Sequence, residues 1–290
     1  MERTDRIPVR TRGRRTLREV LNDDVLGLAA QTAYYFLFSL FPILLFITPL
    51  LGMLLDVNEA ISWVERQLGA AVPPEALTLV SGIIDDVVLS ENAPGLASVG
   101  AVLALWAGSN VFNTLAGALN KAFDCTENRA WWKTRLIAIS MVLLSAVVLA
   151  IGFITLMAGE RIIGFVATLV NMGDAAALAW TIGQYALAVL LLIAFAFLTF
   201  RLLPNTTQRW QDVLVGALVT AGLWIVATML FRLYVVNFAN YNQTYGTIGA
   251  VIILLMWMYI VMVVLLVGGE LCSELRKVHA ARVDPAATGC

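Results

Sequence analysis

The feature that most constrains this sequence is a series of six long stretches without a single Asp, Glu, Lys or Arg. The shortest has about 19 residues, which as an α-helix is roughly 28 Å long and just crosses the hydrocarbon core of a bilayer. With 60% hydrophobic and 13% charged residues, the chain has too much apolar surface for a soluble fold of this size. We therefore predict an all-α fold, a polytopic membrane helix bundle of six transmembrane helices, with spans at about 26–55, 94–120, 136–159, 176–200, 213–231 and 246–269.

The Lys and Arg residues are distributed unevenly over the segments that flank these spans. Sixteen of the 19 lie in the N-terminal arm, in segments 121–135 and 201–212, or in the C-terminal tail. Because positive residues favour the cytoplasmic side of a membrane, we predict that both termini are cytoplasmic. The chain then divides into an Arg-rich cytoplasmic arm at 1–24, a transmembrane domain at 25–275 and a cytoplasmic tail at 276–290. The net charge of −1 gives no reason to expect nucleic-acid binding.

Two further expectations follow from this topology. Cys125, Cys272 and Cys290 all fall on the predicted cytoplasmic side, where thiols stay reduced, so we expect no disulfide. The outer segment 56–92 has apolar residues at helical spacing on either side of Pro73 and Pro74. We therefore predict short amphipathic helices on the outer side there.

Polar residues inside the spans are the candidates for function, because lipid cannot satisfy them. No ionisable residue lies deep in a predicted span, which argues against a proton relay at the midplane. Glu270, at the end of span six, is expected as an interfacial carboxylate. Span two carries a polar stripe on one helical face. Either it forms hydrogen bonds between helices, with Gly117 allowing close approach, or it lines a hydrophilic cavity; its members are Asn110, Asn113, Thr114, Gly117 and Asn120.

Other spans contribute fewer candidates. Gln184 on span four is expected to bond to another helix. Gly216, Thr220 and Thr228 on span five form a small-residue stripe that is suited to close packing. Span one carries polar residues that could meet the stripe of span two, and prolines mark bends or turns in span one and after span four. These residues are Gln31, Tyr34, Tyr35 and Ser39, with Pro42, Pro49 and Pro204.

The stretch that precedes span six is polar but carries no charge. Irregular backbone near membrane depth survives only when it is buried in protein or lines water. We favour a packed turn at Gly246, near Gly249, beside an outward-facing cavity wall. The residues that contribute to this wall are Asn240, Tyr241, Asn242 and Tyr245.

Four segments in this order resemble the YihY/virulence factor BrkB family of bacterial inner-membrane proteins. They are "AYYFLFSLFPILL" (33–45), "WAGSNVFNTLAGALNKAFD" (106–124), "RLLPNTTQRWQDVLVGA" (201–217) and "NYNQTYGTIGAVIILLMWMYI" (240–260). The resemblance runs from about residue 18 to 277 and implies a multi-pass protein of the bacterial cytoplasmic membrane. It also carries an association with envelope integrity and suggests export or lipid translocation.

Members of that family have carried the label ribonuclease BN, which the residues of this chain do not support. Metal-dependent RNA cleavage needs a cluster of His and Asp ligands, and this chain has one histidine, His279. We therefore expect no enzyme activity and no catalytic, metal or cofactor site. Neutral polar linings suit a transporter-like or flippase-like protein with a zwitterionic or amphiphilic cargo, such as an envelope lipid. The alternative is a membrane scaffold that transports nothing; either way the expected partners are membrane lipids.

Overall fold

The computed structural model describes residues 19–54, 93–170, 173–237 and 242–283. These residues form long helices and no β-strand, which confirms the all-α membrane fold. The helices, in chain order, are α1 (Val25–Leu54), α2 (Ala93–Ala122), α3 (Trp131–Val170), α4 (Gly173–Leu202), α5 (Trp210–Asn237) and α6 (Asn242–Val283).

Each of these helices contains a segment that is long and apolar enough to cross a membrane, which confirms the six predicted spans. All six helices extend beyond the predicted spans at one end or both. The largest difference is in α6, which continues past Glu270 to Val283, so the predicted tail at 276–290 begins as helix. The apolar segments are Val25–Ile47, Ala97–Ala122, Trp131–Gly152, Leu178–Leu202, Trp210–Val236 and Val251–His279.

Several predictions lie outside the described residues. They concern most of the N-terminal arm, the amphipathic helices of segment 56–92, and the last seven residues of the tail. Asn240 and Tyr241 also lie outside.

The chain divides into two compact units. The first unit comprises residues 1–25, 116–224 and 264–290, and the second comprises residues 26–115 and 225–263. Each unit therefore contains portions of several helices, and each has its own buried side chains.

In the first unit, glycines let α5 and α6 approach closely. A Cβ placed on Gly268 would lie 1.8 Å from Thr220 Oγ1, and one on Gly216 would lie 1.9 Å from Cys272 Sγ. The Thr220 hydroxyl is fully buried and donates to the Gly216 carbonyl at 2.8 Å. The packing role predicted for Gly216 and Thr220 is therefore confirmed, whereas Thr228 is exposed.

In the second unit, α1 and α2 touch at Gly100. A Cβ on Gly100 would lie 2.8 Å from the Phe46 backbone nitrogen, so only a residue without a side chain fits there. Small residues are buried on both helices, including Ala29 and Ala33 on α1 and Ala104 on α2. Small side chains allow two membrane helices to pack backbone to backbone.

Candidate functional site

The polar residues of α1 fall into two groups. Thr32 and Ser39 are buried, and their hydroxyls donate to the carbonyls of Leu28 at 2.8 Å and Phe36 at 2.7 Å. These hydroxyls are satisfied within their own helix. Gln31 and Tyr34 lie on the exposed face of α1, and Tyr35 is half-buried.

The exposed face of α1 continues as an aromatic row. The Tyr34 ring lies 5.7 Å from the Tyr35 ring and 4.6 Å from the Phe38 ring, and Phe38 lies 6.4 Å from Phe41. Aromatic rings at these distances support one another, so the row forms a continuous apolar surface beside the Gln31 amide.

The polar stripe predicted on α2 is divided between different environments. Asn110 and Thr114 are half-buried, Asn113 and Gly117 are exposed, and Asn120 is buried. A Cβ on Gly117 would meet nothing within 4 Å, so the expectation that Gly117 allows close helix approach is not met among the described residues. The reason is that the close α1–α2 contact forms on another face of α2, at Gly100.

The exposed polar residues of α1 and α2 lie at similar depth in the second unit. Consecutive spans run in opposite directions, and Gly100 contacts Phe46. Asn110 follows Gly100 by about ten residues on α2, and Phe36 precedes Phe46 by the same number on α1. Both residues therefore lie about 15 Å from the Gly100–Phe46 contact, at the same depth on the two antiparallel helices. Gln31, Tyr34 and Asn113 therefore share a level but stand outside the buried small residues, so they do not form the helix contact that the sequence suggested.

Some of the glycines and prolines predicted to bend the chain lie inside helices, and one lies in a connection. The proposed turn at Gly246 is wrong, because α6 begins at Asn242 and includes Tyr245, Gly246 and the buried Gly249. A helix satisfies its own backbone groups, which an irregular turn near membrane depth would leave unpaired. α1 is helical through both Pro42 and Pro49, and Pro204 lies in the connection between α4 and α5.

Two amides make specific contacts in the first unit. The Gln184 side chain on α4 donates to the Thr155 carbonyl on α3 at 3.0 Å, which confirms the predicted bond between helices. Asn120 donates to Glu127 Oε2 at 2.9 Å and accepts from the Asn205 backbone N–H at 2.7 Å. Asn120 therefore ties the end of α2 to the connections on either side of α3 and α4.

The end of α2 positions these groups through a Schellman cap. Asp124 has a φ of 53°, the left-handed conformation that follows many helices. Its N–H bonds to the Lys121 carbonyl at 3.0 Å, and the Cys125 N–H bonds to the Asn120 carbonyl at 2.8 Å. The chain consequently reverses direction and brings Glu127 back to Asn120.

Glu127 is bound by Arg129 in a two-pronged contact. Arg129 Nε donates to Glu127 Oε1 at 2.8 Å and Nη2 donates to Oε2 at 2.6 Å. This hydrogen bonding, with the further bond from Asn120, holds the pKa of Glu127 below its ordinary value of 4.5. Arg129 Nη2 also donates to the Leu203 carbonyl at 2.7 Å, so the guanidinium is fixed from two sides.

Arg129 lines a cavity of about 520 Å³ that we call the arginine pocket. Arg201 donates to the Gln208 carbonyl, and Arg276 donates to the Thr206 hydroxyl and, at 3.1 Å, to the Phe123 carbonyl. No local sequence motif indicates this pocket, because its arginines belong to three distant segments that share only their excess of positive charge. The lining residues are Arg129, Arg201, Leu202, Pro204, Asn205, Thr206, Thr207 and Arg276.

Buried carboxylates lie elsewhere in the first unit. Glu270 is 1% exposed and is therefore buried in protein, while its expected position at the cytoplasmic rim of the membrane stays a prediction. Its charged neighbours are Asp23, Glu19 and Lys277, and one of its oxygens has no hydrogen-bond partner in the described part of the chain. Asp23 and Glu270 belong to the same compact unit.

A histidine of α6 and an aspartate of α5 also come together in the first unit. His279 Nδ1 lies 3.0 Å from Asp212 Oδ1. Among the described residues, no group of three or more His, Cys, Asp or Glu side chains could hold a metal ion. Cys125 is disulfide-bonded, so the expectation of reduced thiols is wrong there. Cys272 is a free and fully buried thiol.

Comparisons with known proteins place this arrangement in a family. The family model described as Virulence factor BrkB matches residues 16–288. The putative ribonuclease-like protein YfkH of Bacillus subtilis is 31% identical over 250 residues, which cover 86% of this chain and 89% of that protein. A UPF0761 membrane protein of Tolumonas auensis is 26% identical over 279 residues, which cover 89% of this chain and 83% of that protein. No solved structure matches the chain.

Proposed function

Because the chain belongs to the virulence factor BrkB family of multi-pass membrane proteins, we propose that it is transporter-like or flippase-like, with an amphiphilic or zwitterionic cargo. In this proposal it lies in the bacterial cytoplasmic membrane with both termini in the cytoplasm and serves envelope homeostasis. The observation that carries the proposal is the exposure of neutral polar side chains, Gln31, Tyr34 and Asn113, inside apolar spans.

Exposed amides inside a span need a polar neighbour. An amide that is left without a hydrogen bond in an apolar medium costs roughly 2–7 kcal/mol, and two such groups on adjacent helices at one level would be costly in lipid. Water or the polar part of a cargo can satisfy both Gln31 and Asn113. Since these groups carry no charge, they suit a zwitterionic headgroup better than a bare ion.

The alternative function is a membrane scaffold. Asn120 and Gln184 favour it, because both amides form hydrogen bonds inside the protein, as the structural groups of a scaffold would. A scaffold would satisfy Gln31 and Asn113 with another protein chain, and the same variants would then change assembly rather than transport.

RNA cleavage has the weakest support from the residues. The printed name of the Bacillus subtilis relative includes "ribonuclease-like". In this chain the one histidine, His279, pairs with Asp212, and the described residues offer no ligand cluster for a catalytic metal. We therefore propose that the protein is not an enzyme; metal-dependent cleavage of RNA by the purified protein would refute this.

Reconstitution into liposomes with fluorescent phosphatidylcholine tests the proposed function. The wild type should accelerate the movement of this lipid between leaflets, measured by quenching with dithionite. A double variant, Gln31→Leu with Asn113→Leu, should transfer the lipid about tenfold more slowly, because it removes both exposed amides from this depth of the membrane. The matched control is Val102→Leu, an exposed apolar position on the same helix as Asn113, and it should behave as the wild type. Lipid movement no faster than in protein-free liposomes would refute the proposal.

A further inference from the structure

We propose that the arginine pocket binds the phosphate group of an anionic phospholipid at the cytoplasmic surface of the membrane. This site is separate from the exposed neutral side chains of α1 and α2, and its existence does not require that the protein transports lipid. The argument rests on the charge of the pocket, the fixation of its arginines and its position at the ends of spans.

The pocket wall carries an excess of positive charge. Three guanidinium groups line it, and none of the described lining residues is acidic. Glu127 lies next to the pocket and balances Arg129, with a separation of 2.6 Å, and Asp124 is a charged neighbour of Arg276. Arg201 donates to a neutral carbonyl, which orients the guanidinium but does not neutralise it. An anion with several acceptor oxygens fits such a wall, because Arg forms charge-assisted and often paired hydrogen bonds to phosphate.

The arginines are held in place before any ligand binds. Backbone carbonyls fix each of them: Leu203 for Arg129, Gln208 for Arg201 and Phe123 for Arg276. Ordering long side chains on binding normally costs about 0.5–1.5 kcal/mol for each one. Here the side chains are already ordered in the folded protein. Less of the free energy of interaction with an anion is therefore lost to ordering them on binding.

The connection between α4 and α5 provides the neutral part of the wall. It contributes Asn205, Thr206 and Thr207, and the Asn205 N–H is anchored to the buried Asn120. Hydroxyl groups can donate to phosphate oxygens or to a polar headgroup. At about 520 Å³ the pocket has the size of a site for a small polar group.

The position of the pocket favours a lipid over a soluble anion. Leu202, which lines it, ends the apolar segment Leu178–Leu202 and is 42% exposed. Trp131 and Trp210, at the starts of α3 and α5, are also exposed, and tryptophans gather at the level of lipid headgroups. The predicted topology puts these ends in the cytoplasm, where basic pockets between spans bind anionic headgroups.

Binding of a fluorescent short-chain phosphatidic acid to the purified full chain in detergent tests the inference. Arg201→Gln should weaken binding about tenfold, because it removes a charge-assisted contact. Arg209→Gln is the matched control, since Arg209 is exposed on the connection between α4 and α5 but does not line the pocket. This variant should bind the probe as the wild type does. A second variant, Thr207→Asp, adds a carboxylate at an exposed lining position and should weaken binding at least as much.

Two competitors identify the source of the phosphate. Unlabelled phosphatidylglycerol should displace the probe, whereas phosphatidylcholine should require at least a tenfold higher concentration. If inorganic phosphate displaced the probe as effectively as phosphatidylglycerol, the assignment to a lipid would be overturned. Equal loss of binding in Arg201→Gln and Arg209→Gln would overturn the site itself. Neither result depends on the movement of phosphatidylcholine, so this inference and the proposed function can fail separately.

Discussion

At the residue scale, single atoms decide how closely α5 and α6 pack. The space beside Gly268 is filled by Thr220 Oγ1 at 1.8 Å and Phe200 Cζ at 3.0 Å from the position of an added Cβ. Thr220 cannot turn away without giving up its bond to the Gly216 carbonyl. A methyl group at this position must therefore push the helices apart or break that bond.

We predict that Gly268→Ala lowers the free energy of unfolding by about 1–3 kcal/mol, the usual cost of overpacking a core. Gly222→Ala is the control, because a Cβ there meets nothing within 4 Å and alanine favours helix. Thermal unfolding of the detergent-solubilised variants measures the difference. If both variants melted at the temperature of the wild type, the close contact would not exist.

Glu127 predicts a dependence of stability on pH. Because its pKa is lowered on folding, its ionised form stabilises the folded state fully above the ordinary value of 4.5. That contribution is lost as the pH falls through the lowered pKa. We expect the melting temperature of the wild type to exceed that of Glu127→Gln at about pH 7, with a gap that shrinks towards about pH 3. A gap independent of pH would show that the ionised form of Glu127 gains nothing on folding.

At the element scale, the contact between α1 and α2 depends on Gly100. An added Cβ would lie 2.8 Å from Phe46 N and 2.9 Å from the Leu45 carbonyl carbon, and backbone atoms cannot rotate out of the way. We predict that Gly100→Ala destabilises the protein by about 1–3 kcal/mol through separation of the two helices. On the same helix, Gly117→Ala should be tolerated. Urea titration followed by tryptophan fluorescence compares the two, and equal midpoints would contradict the contact.

The existence of the six helices could be predicted from the sequence, but their ends and burial could not. An uncharged run predicts a span, yet α6 continues through Glu270 because the protein interior, rather than lipid or water, surrounds that turn. Asn113 and Asn120 look equivalent on a helical stripe. One is exposed, and the other is buried by Glu127 and Asn205, residues that only the folded connections bring to it.

At the scale of the whole molecule, the connections between spans are as informative as the spans. The pocket arginines come from positions 129, 201 and 276, and no local motif joins them. The distribution of Lys and Arg predicts only that these segments share one side of the membrane. In the folded protein these segments come together and form a cavity with fixed guanidinium groups.

Site-directed labelling measures on which side of the membrane these connections lie. In a chain whose own cysteines are replaced by serine, Asn128→Cys places an exposed thiol beside Arg129. A membrane-impermeant maleimide should label it in permeabilised spheroplasts but not in intact ones, whereas Gly95→Cys, exposed at the start of α2, should be labelled in both. Labelling of Asn128→Cys in intact spheroplasts would contradict the topology and the cytoplasmic lipid site with it.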